Sequence, residues 1–290
     1  MKKAFVQLHI AVFLAGFTVI LGKLITMNEG LIVWYRMLLA VLFLGLGMLY
    51  RKDFTRIGMY DYLKIAGVGL ILALHWVTFY GSIRYANASV AVVCLSASGF
   101  FSALIEPIIY NKKIILVELL LGMLALIGVW IIFDFHPQYK IGIIFGVISA
   151  IGSAAFPIYN KKLLSKFSPK NLIFYEFSGG LIMLSLFLPF YFMKYKPDYY
   201  LPTITDWFWL FILAVFCTLY AFNLQLKALQ KISAFTYNLT YNLEPIYGIV
   251  LAFIIFHEHN LLNGYFYLGL SLIVLAIVLH MFRVMKIYKR

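Results

Sequence analysis

Residues 116–133 read LVELLLGMLALIGVWIIF, a run whose one ionisable side chain is Glu118. As an α-helix it rises about 27 Å, close to the ~30 Å hydrocarbon core of a bilayer. It is too apolar to lie against water. Blocks of the same kind, each about 20 residues long, recur along the 290-residue chain with short polar joints between them. They fall at 4–27, 30–50, 63–83, 88–110, 115–133, 141–160, 171–193, 206–226, 233–256 and 264–284. The composition is 64% hydrophobic and 12% charged, with a mean hydropathy of +0.94, outside the range of a soluble domain. Ten such spans leave no room for a water-soluble catalytic module. The expected fold is an all-α membrane protein with ten transmembrane helices, and the expected surroundings are a lipid bilayer.

The net charge of +13 raises the question of nucleic acid, and its placement answers it. With the N-terminus placed inside and the spans alternating, inner segments hold 18 of the 24 basic residues, among them Arg51, Lys112, Lys113, Lys161, Lys162 and Arg283. Outer segments hold Arg84, Lys140, Lys194 and Lys196, while Lys23 and Arg36 lie within spans. This is the positive-inside bias, and it puts both termini in the cytoplasm. The charge reports topology and a loose attraction to anionic lipid, with no nucleic-acid partner expected.

Met1-Lys2-Lys3 and the apolar run behind them resemble a signal peptide. Residues 4–27 are too long for its hydrophobic region and show no small-x-small cleavage site, so they are expected to stay as the first helix. Cys94 and Cys217 both fall in apolar blocks at no metal-binding spacing. Short joints require neighbouring helices to be antiparallel, and Gly142 and Gly146 are expected at a close helix contact. Tyr199, Tyr200, Trp207 and Trp209 suit an outer interfacial belt.

The chain also repeats itself. Residues 15–25 (AGFTVILGKLI) align without gaps on 154–164 (AAFPIYNKKLL), and 82–88 (SIRYANA) on 228–234 (ALQKISA). The second offset also pairs Gly99 with Pro245 and Lys112 with Glu258. Both stretches occupy equivalent places in a five-helix unit, giving halves at 1–138 and 139–290. Five is odd, so the second unit enters the membrane from the opposite side. Two inverted five-helix repeats are a common basis for alternating access.

These features together resemble the EamA type of the drug/metabolite transporter superfamily. The likeness rests on Ala15-Gly16-Phe17, on Arg36 within Trp34-Tyr35-Arg36-Met37-Leu38, and on the Ser233-Ala234 joint. Leu243-Glu244-Pro245 and the Phe256-His257-Glu258 end of span nine complete it. The first half departs from the pattern, with Gly99 where proline is usual and Asn111-Lys112 in place of Gly-Glu. The resemblance implies an inner-membrane carrier with a central cavity, commonly an exporter of amino acids, metabolites or drugs; the short outer loops point to a bacterial protein, and no cofactor is expected.

An ionisable side chain at bilayer depth costs at least ~2.5 kcal/mol on insertion scales, so each should face a cavity or a partner. Glu244 lies too deep in span nine to reach the interface, beside Pro245, which lacks a backbone donor. Tyr237, Tyr241, Glu244 and Gly248 share one helical face, with Asn238 and Asn242 on the adjoining column. That face suits a wet cavity, and Glu244 is the expected carrier of a coupling proton; the alternative is a carboxyl that serves helix packing. Arg36 either pairs with Glu244 or a substrate carboxylate from inside, or snorkels outward as Lys23 is expected to do.

Ser98, Ser102 and Glu106 line one face of span four, and Ser149, Ser153, Phe156 and Asn160 one face of span six. Small residues at helix contacts would look the same. Glu106 is expected to pair with Lys112 or Lys113, and Glu118 to be structural. His75, Trp76, Phe79 and Tyr80 in span three, with Tyr220 and Asn223 in span eight, offer rings, amide and hydroxyl groups that suit a small, partly apolar solute. Glu176 stands where Arg36 stands in the first half and is a candidate ion-pair partner for it. His257-Glu258-His259 places its histidines on different helical faces, so no metal site is expected.

The expected function is a secondary carrier that exports or exchanges a small metabolite, not an enzyme. An intramembrane enzyme acting on lipid-linked substrates is the alternative, and it would gather acids or histidines at one interface to bind metal and phosphate. The 11 acidic residues here are scattered.

Overall fold

Apolar periodicity becomes helix throughout. A computed structural model of the protein describes residues 2–135, 137–232, 237, 240, 241 and 243–288, the side chains of 2, 134, 135 and 284–288 excepted. Among the described residues nine helices are long and apolar enough to cross a bilayer, and a further apolar helix, Glu244–Phe256, is shorter. The expected ninth span, 233–256, begins in residues outside those described. No strand occurs among the described residues.

The first half runs α1 (Lys2–Leu24), α2 (Glu29–Arg51), α3 (Met59–Tyr85), α4 (Ala88–Leu95), α5 (Ser98–Tyr110) and α6 (Leu116–Phe135). The second runs α7 (Lys140–Leu163), α8 (Pro169–Lys194), α9 (Ile204–Ala214), a π-helical turn at Val215–Tyr220, α10 (Ala221–Lys231), α11 (Glu244–Phe256) and α12 (Gly264–Tyr288). Helix starts are marked by side-chain caps. Asn28 and Asn87 accept from the backbone N–H groups of Gly30 and Val90 at 2.9 and 2.8 Å, and Thr203 with Asp206 forms a capping box.

The internal repeat has a structural counterpart. The fourth span is interrupted at Ser96 and Ala97, so that α5 starts afresh at Ser98 and ends at Tyr110. Helix α11 starts at Glu244 and ends at Phe256, an offset of 146 residues at both ends. The stops match as well: Asn111 and His257 take left-handed backbone angles, φ 50° and 52°. That conformation explains why glycine suits this place and why asparagine is tolerated in the first half. The break before Ser98 forms with glycine, not proline, at position 99.

The molecule is apolar outside as well as inside. Leu46, Leu120, Trp130, Leu186 and Leu275 are exposed in mid-helix, as a bilayer-facing surface requires. Helix α3 packs between α7 and α8, α1 lies on α10 and α11, and α6 pairs with α12. Gly142 and Gly146 sit at the close contact expected of them, because a Cβ there would stand 2.6 Å from the Ala86 Cβ and 2.5 Å from the Cys94 Cβ. In the expected aromatic belt, the Tyr35 hydroxyl donates to Tyr200 O at 3.1 Å, and Tyr35 meets Trp207 edge-on.

Candidate functional site

A cavity of about 40 Å³ lies between the two halves, walled by residues of α1, α2, α3, α4, α7, the π turn, α10 and α11. Of the residues singled out in the sequence, Arg36, His75, Trp76, Phe79, Ser153, Phe156, Tyr241 and Glu244 line it. Phe79, Phe156 and Phe222 complete an aromatic wall, with Phe156 stacked on Phe222 at 5.9 Å. Such a volume holds a water molecule or so, not a metabolite. The walls are drawn in around the site.

Arg36 faces inward. It is 2% exposed, and its guanidinium lies 3.6 Å from the centre of the Trp76 ring. Its Nε donates to Thr218 Oγ1 at 2.6 Å and its Nη1 to Tyr80 Oη at 3.0 Å. The Thr218 hydroxyl donates in turn to Leu213 O at 2.7 Å, across the π turn. The bulge thus holds the group that aims the guanidinium. Its Nη2 donates to Cys217 O at 3.5 Å, which leaves two of the five N–H groups of the fork without a hydrogen bond among the described residues.

Glu244 opens α11, where the positive end of the helix dipole favours a carboxylate. No ion pair within 4.0 Å joins it to Arg36 among the described residues. His75 is held on the far wall, its Nδ1 2.8 Å from both the Ser149 hydroxyl and Ser149 O. Its ring stacks between Phe79 and Phe156.

Ser98 and Tyr237 line a second, smaller space of about 20 Å³, which shares Ser153, Phe156 and Tyr241 with the first. Tyr237 and Tyr241 stack at 4.8 Å. Gly248 leaves this face and packs on Val92. Asn238 and Asn242 lie outside the described residues. Ser102 is buried on α5 and lines neither space.

Tyr80 does not line the central cavity. Its ring lines a wider cavity of about 420 Å³ at the far end of α1, together with Lys23, Glu29, Arg84 and Asn87. With its hydroxyl bonded to Arg36, Tyr80 stands between the two spaces. Span eight also differs from expectation. Tyr220 is 49% exposed, and Cys217, Ala221, Phe222 and Gln225 line the cavity in place of Tyr220 and Asn223. A π turn takes more residues than an α turn, so it rotates the face that follows. Gln225 was not legible for that reason.

Three more acids found partners. Glu106 lies 3.8 Å from Lys112 Nζ, and Glu118 3.3 Å from Arg283 Nη1. Lys23 does not snorkel: its Nζ lies 2.8 Å from Glu258 Oε1. Glu258 is fully buried and also accepts from Ala88 N, Ser89 N and the Ser89 hydroxyl at the start of α4. Glu176 does not meet Arg36.

The sequence pattern of the EamA-like transporter family matches this chain twice, over residues 2–134 and 140–282. An "Uncharacterized transporter" of Haemophilus influenzae is 27% identical over 163 residues, a match that spans 53% of each chain and so about half the length of that relative. The "Uncharacterized transporter YetK" of Bacillus subtilis is 24% identical over 274 residues, 88% of this chain and 80% of that one. A solved structure described as "Crystal structure of protein" superposes with a TM-score of 0.68 at 11% identity, covering 99% of both chains, which speaks to the fold alone.

Proposed function

This chain belongs to the EamA-like transporter family, and on that premise we propose that it is a secondary carrier for a small zwitterionic metabolite of the amino-acid kind. It exports or exchanges this solute by alternating access between its two five-helix halves. The observation that carries the reading is that Arg36 and Glu244 share one cavity wall without pairing. A guanidinium with unspent donors receives the solute carboxylate, and Glu244 receives the ammonium group or a coupling proton. The aromatic rings of Trp76, Phe79, Phe156 and Phe222 hold an apolar side chain.

Ser98, Ser153, Tyr237 and Tyr241 extend this surface away from Tyr80. The solute enters when the walls part, since a site of this class needs a volume of roughly 300 Å³ or more. Tyr80 then closes the site toward the wider cavity. The protein sits in a bacterial plasma membrane with both termini in the cytoplasm, which terminal reporters active on only one side of the membrane would test.

The deciding experiment loads proteoliposomes with a mixed pool of amino acids and other metabolites and follows exchange, with and without a pH gradient. Selective exchange of zwitterions is expected. Exchange of organic anions or cations in their place, or of no solute in the pool, would overturn the reading.

A further inference from the structure

Helices α3 and α8 cross with almost nothing between their backbones. A Cβ on Gly69 would stand 2.0 Å from Glu176 O, and one on Gly180 2.6 Å from Gly69 O. At this crossing the Glu176 side chain is 0% exposed, and among the described residues neither of its carboxyl oxygens has a partner in hydrogen-bond geometry. Asn160 of α7 flanks it. That side chain is also 0% exposed, and both atoms of its amide lack partners in hydrogen-bond geometry.

Among the described residues the neighbouring elements supply no counter-ion. Arg36 of α2 is committed to Thr218, Tyr80 and Cys217 O. His75 of α3 is committed to Ser149, and the Tyr175 hydroxyl to Thr55 O. Lys161, next to Asn160, turns to Leu229 O and Ile232 O at the end of α10. Tyr237 is near enough to Glu176 to interact with it electrostatically.

A charged carboxylate here would lack a counter-ion among the described residues and have only the Asn160 amide to donate to it, at a cost of several kcal/mol. One proton resolves the whole cluster. A neutral Glu176 donates its O–H to Asn160 Oδ1, and Asn160 Nδ2 donates to the other carboxyl oxygen, so that a small rotation satisfies every orphaned atom.

We propose that Glu176 and Asn160 form a proton-binding site distinct from Glu244, filled in this closed arrangement and emptied when α7 and α8 part. The route to the cavity is the Tyr237–Tyr241 stack. Tyr241 lines the cavity with Glu244, and its hydroxyl is buried without a partner. The step is a single proton transfer: an O–H bond forms on Glu176 as one breaks on a hydrated proton in the cavity, and nothing is oxidised. The coupling role rests on the carrier reading; the site itself does not.

The test is infrared difference spectroscopy of the full-length protein in phosphatidylcholine–phosphatidylglycerol vesicles during a titration from acid to alkaline pH. The expected result is a carboxylic-acid C=O band whose amplitude follows pH. It should be lost in Glu176→Gln, retained in Glu244→Gln and shifted in Asn160→Leu, which keeps the acid and so serves even where Glu176→Gln fails to fold. A spectrum with no band dependent on Glu176 or Asn160 overturns the proposal. So does a Glu176 band that ignores pH across the titration, which marks a permanently neutral packing group, or one that answers sodium at fixed pH, which marks a metal-cation site. No solute is needed, so failure of the exchange assay and failure of this site are separate outcomes.

Discussion

Arg36 and Glu244 line one cavity on helices from opposite halves of the chain, yet neither bonds to the other. Arg36 is instead aimed by Thr218 and Tyr80 and laid flat on Trp76. On the proposed function, the two side chains held apart in this small space receive a molecule that carries both charges.

Replacing Arg36 separates its charge from its geometry. Arg36→Ala should lower the rate of zwitterion exchange by at least about tenfold, since removing one side of a buried charged contact costs roughly 2–5 kcal/mol. Arg36→Lys should be nearly as poor, because an ammonium neither stacks on Trp76 as a plane nor presents a two-pronged donor. Initial exchange rates in proteoliposomes decide this, and full activity of Arg36→Lys would show that charge alone suffices.

Glu244→Gln should abolish uptake driven by a pH gradient while leaving solute-for-solute exchange intact, since a glutamine keeps the shape but carries no proton. The measurement is the ratio of the two fluxes in one vesicle preparation. Unchanged pH dependence in Glu244→Gln would remove it as the coupling group.

Glu258 seals the end of the bundle where α1 stops and α4 begins. Glu258→Ala strips the acceptor from Ala88 N, Ser89 N and the Ser89 hydroxyl, and should destabilise the protein by about 1–3 kcal/mol. Lys23→Met should cost under about 1 kcal/mol, because the lysine side chain is 36% exposed and the ion pair is screened. Thermal unfolding of the purified variants compares them. Equal losses would mean that the ion pair, not the capping of α4, carries the contact.

Gly69→Ala places a methyl group against the α8 backbone at the Glu176 carbonyl. Overpacking of this kind costs about 1–3 kcal/mol. A lowered unfolding temperature is expected, and wild-type stability would show that the α3–α8 crossing is looser than described.

Much of this was legible from the chain. Arg36 and Glu244 stood out because an ionisable group at bilayer depth has few reasons to be there. The repeat, read from scattered identities, has its counterpart in α5 and α11, whose starts, ends and left-handed stops share one offset. Other features were not legible. Glu258 read only as the histidine-flanked end of span nine, because its partners are Lys23 and backbone N–H groups far away in sequence, which no motif records. The lining of span eight was misphased by the π turn at Val215–Tyr220, since a periodicity argument assumes a regular helix.

Hydrophobic block length alone determined that this chain lives in a membrane as a bundle of helices, because that reading depends only on local composition and on the thickness of the hydrocarbon. It equally determined which charges demand an explanation. Only the tertiary structure decided which of them meet. It brought Lys23 to Glu258 and kept Glu176 away from Arg36, because those placements depend on how helices from the two halves cross and rotate, a property of packing that no single segment encodes.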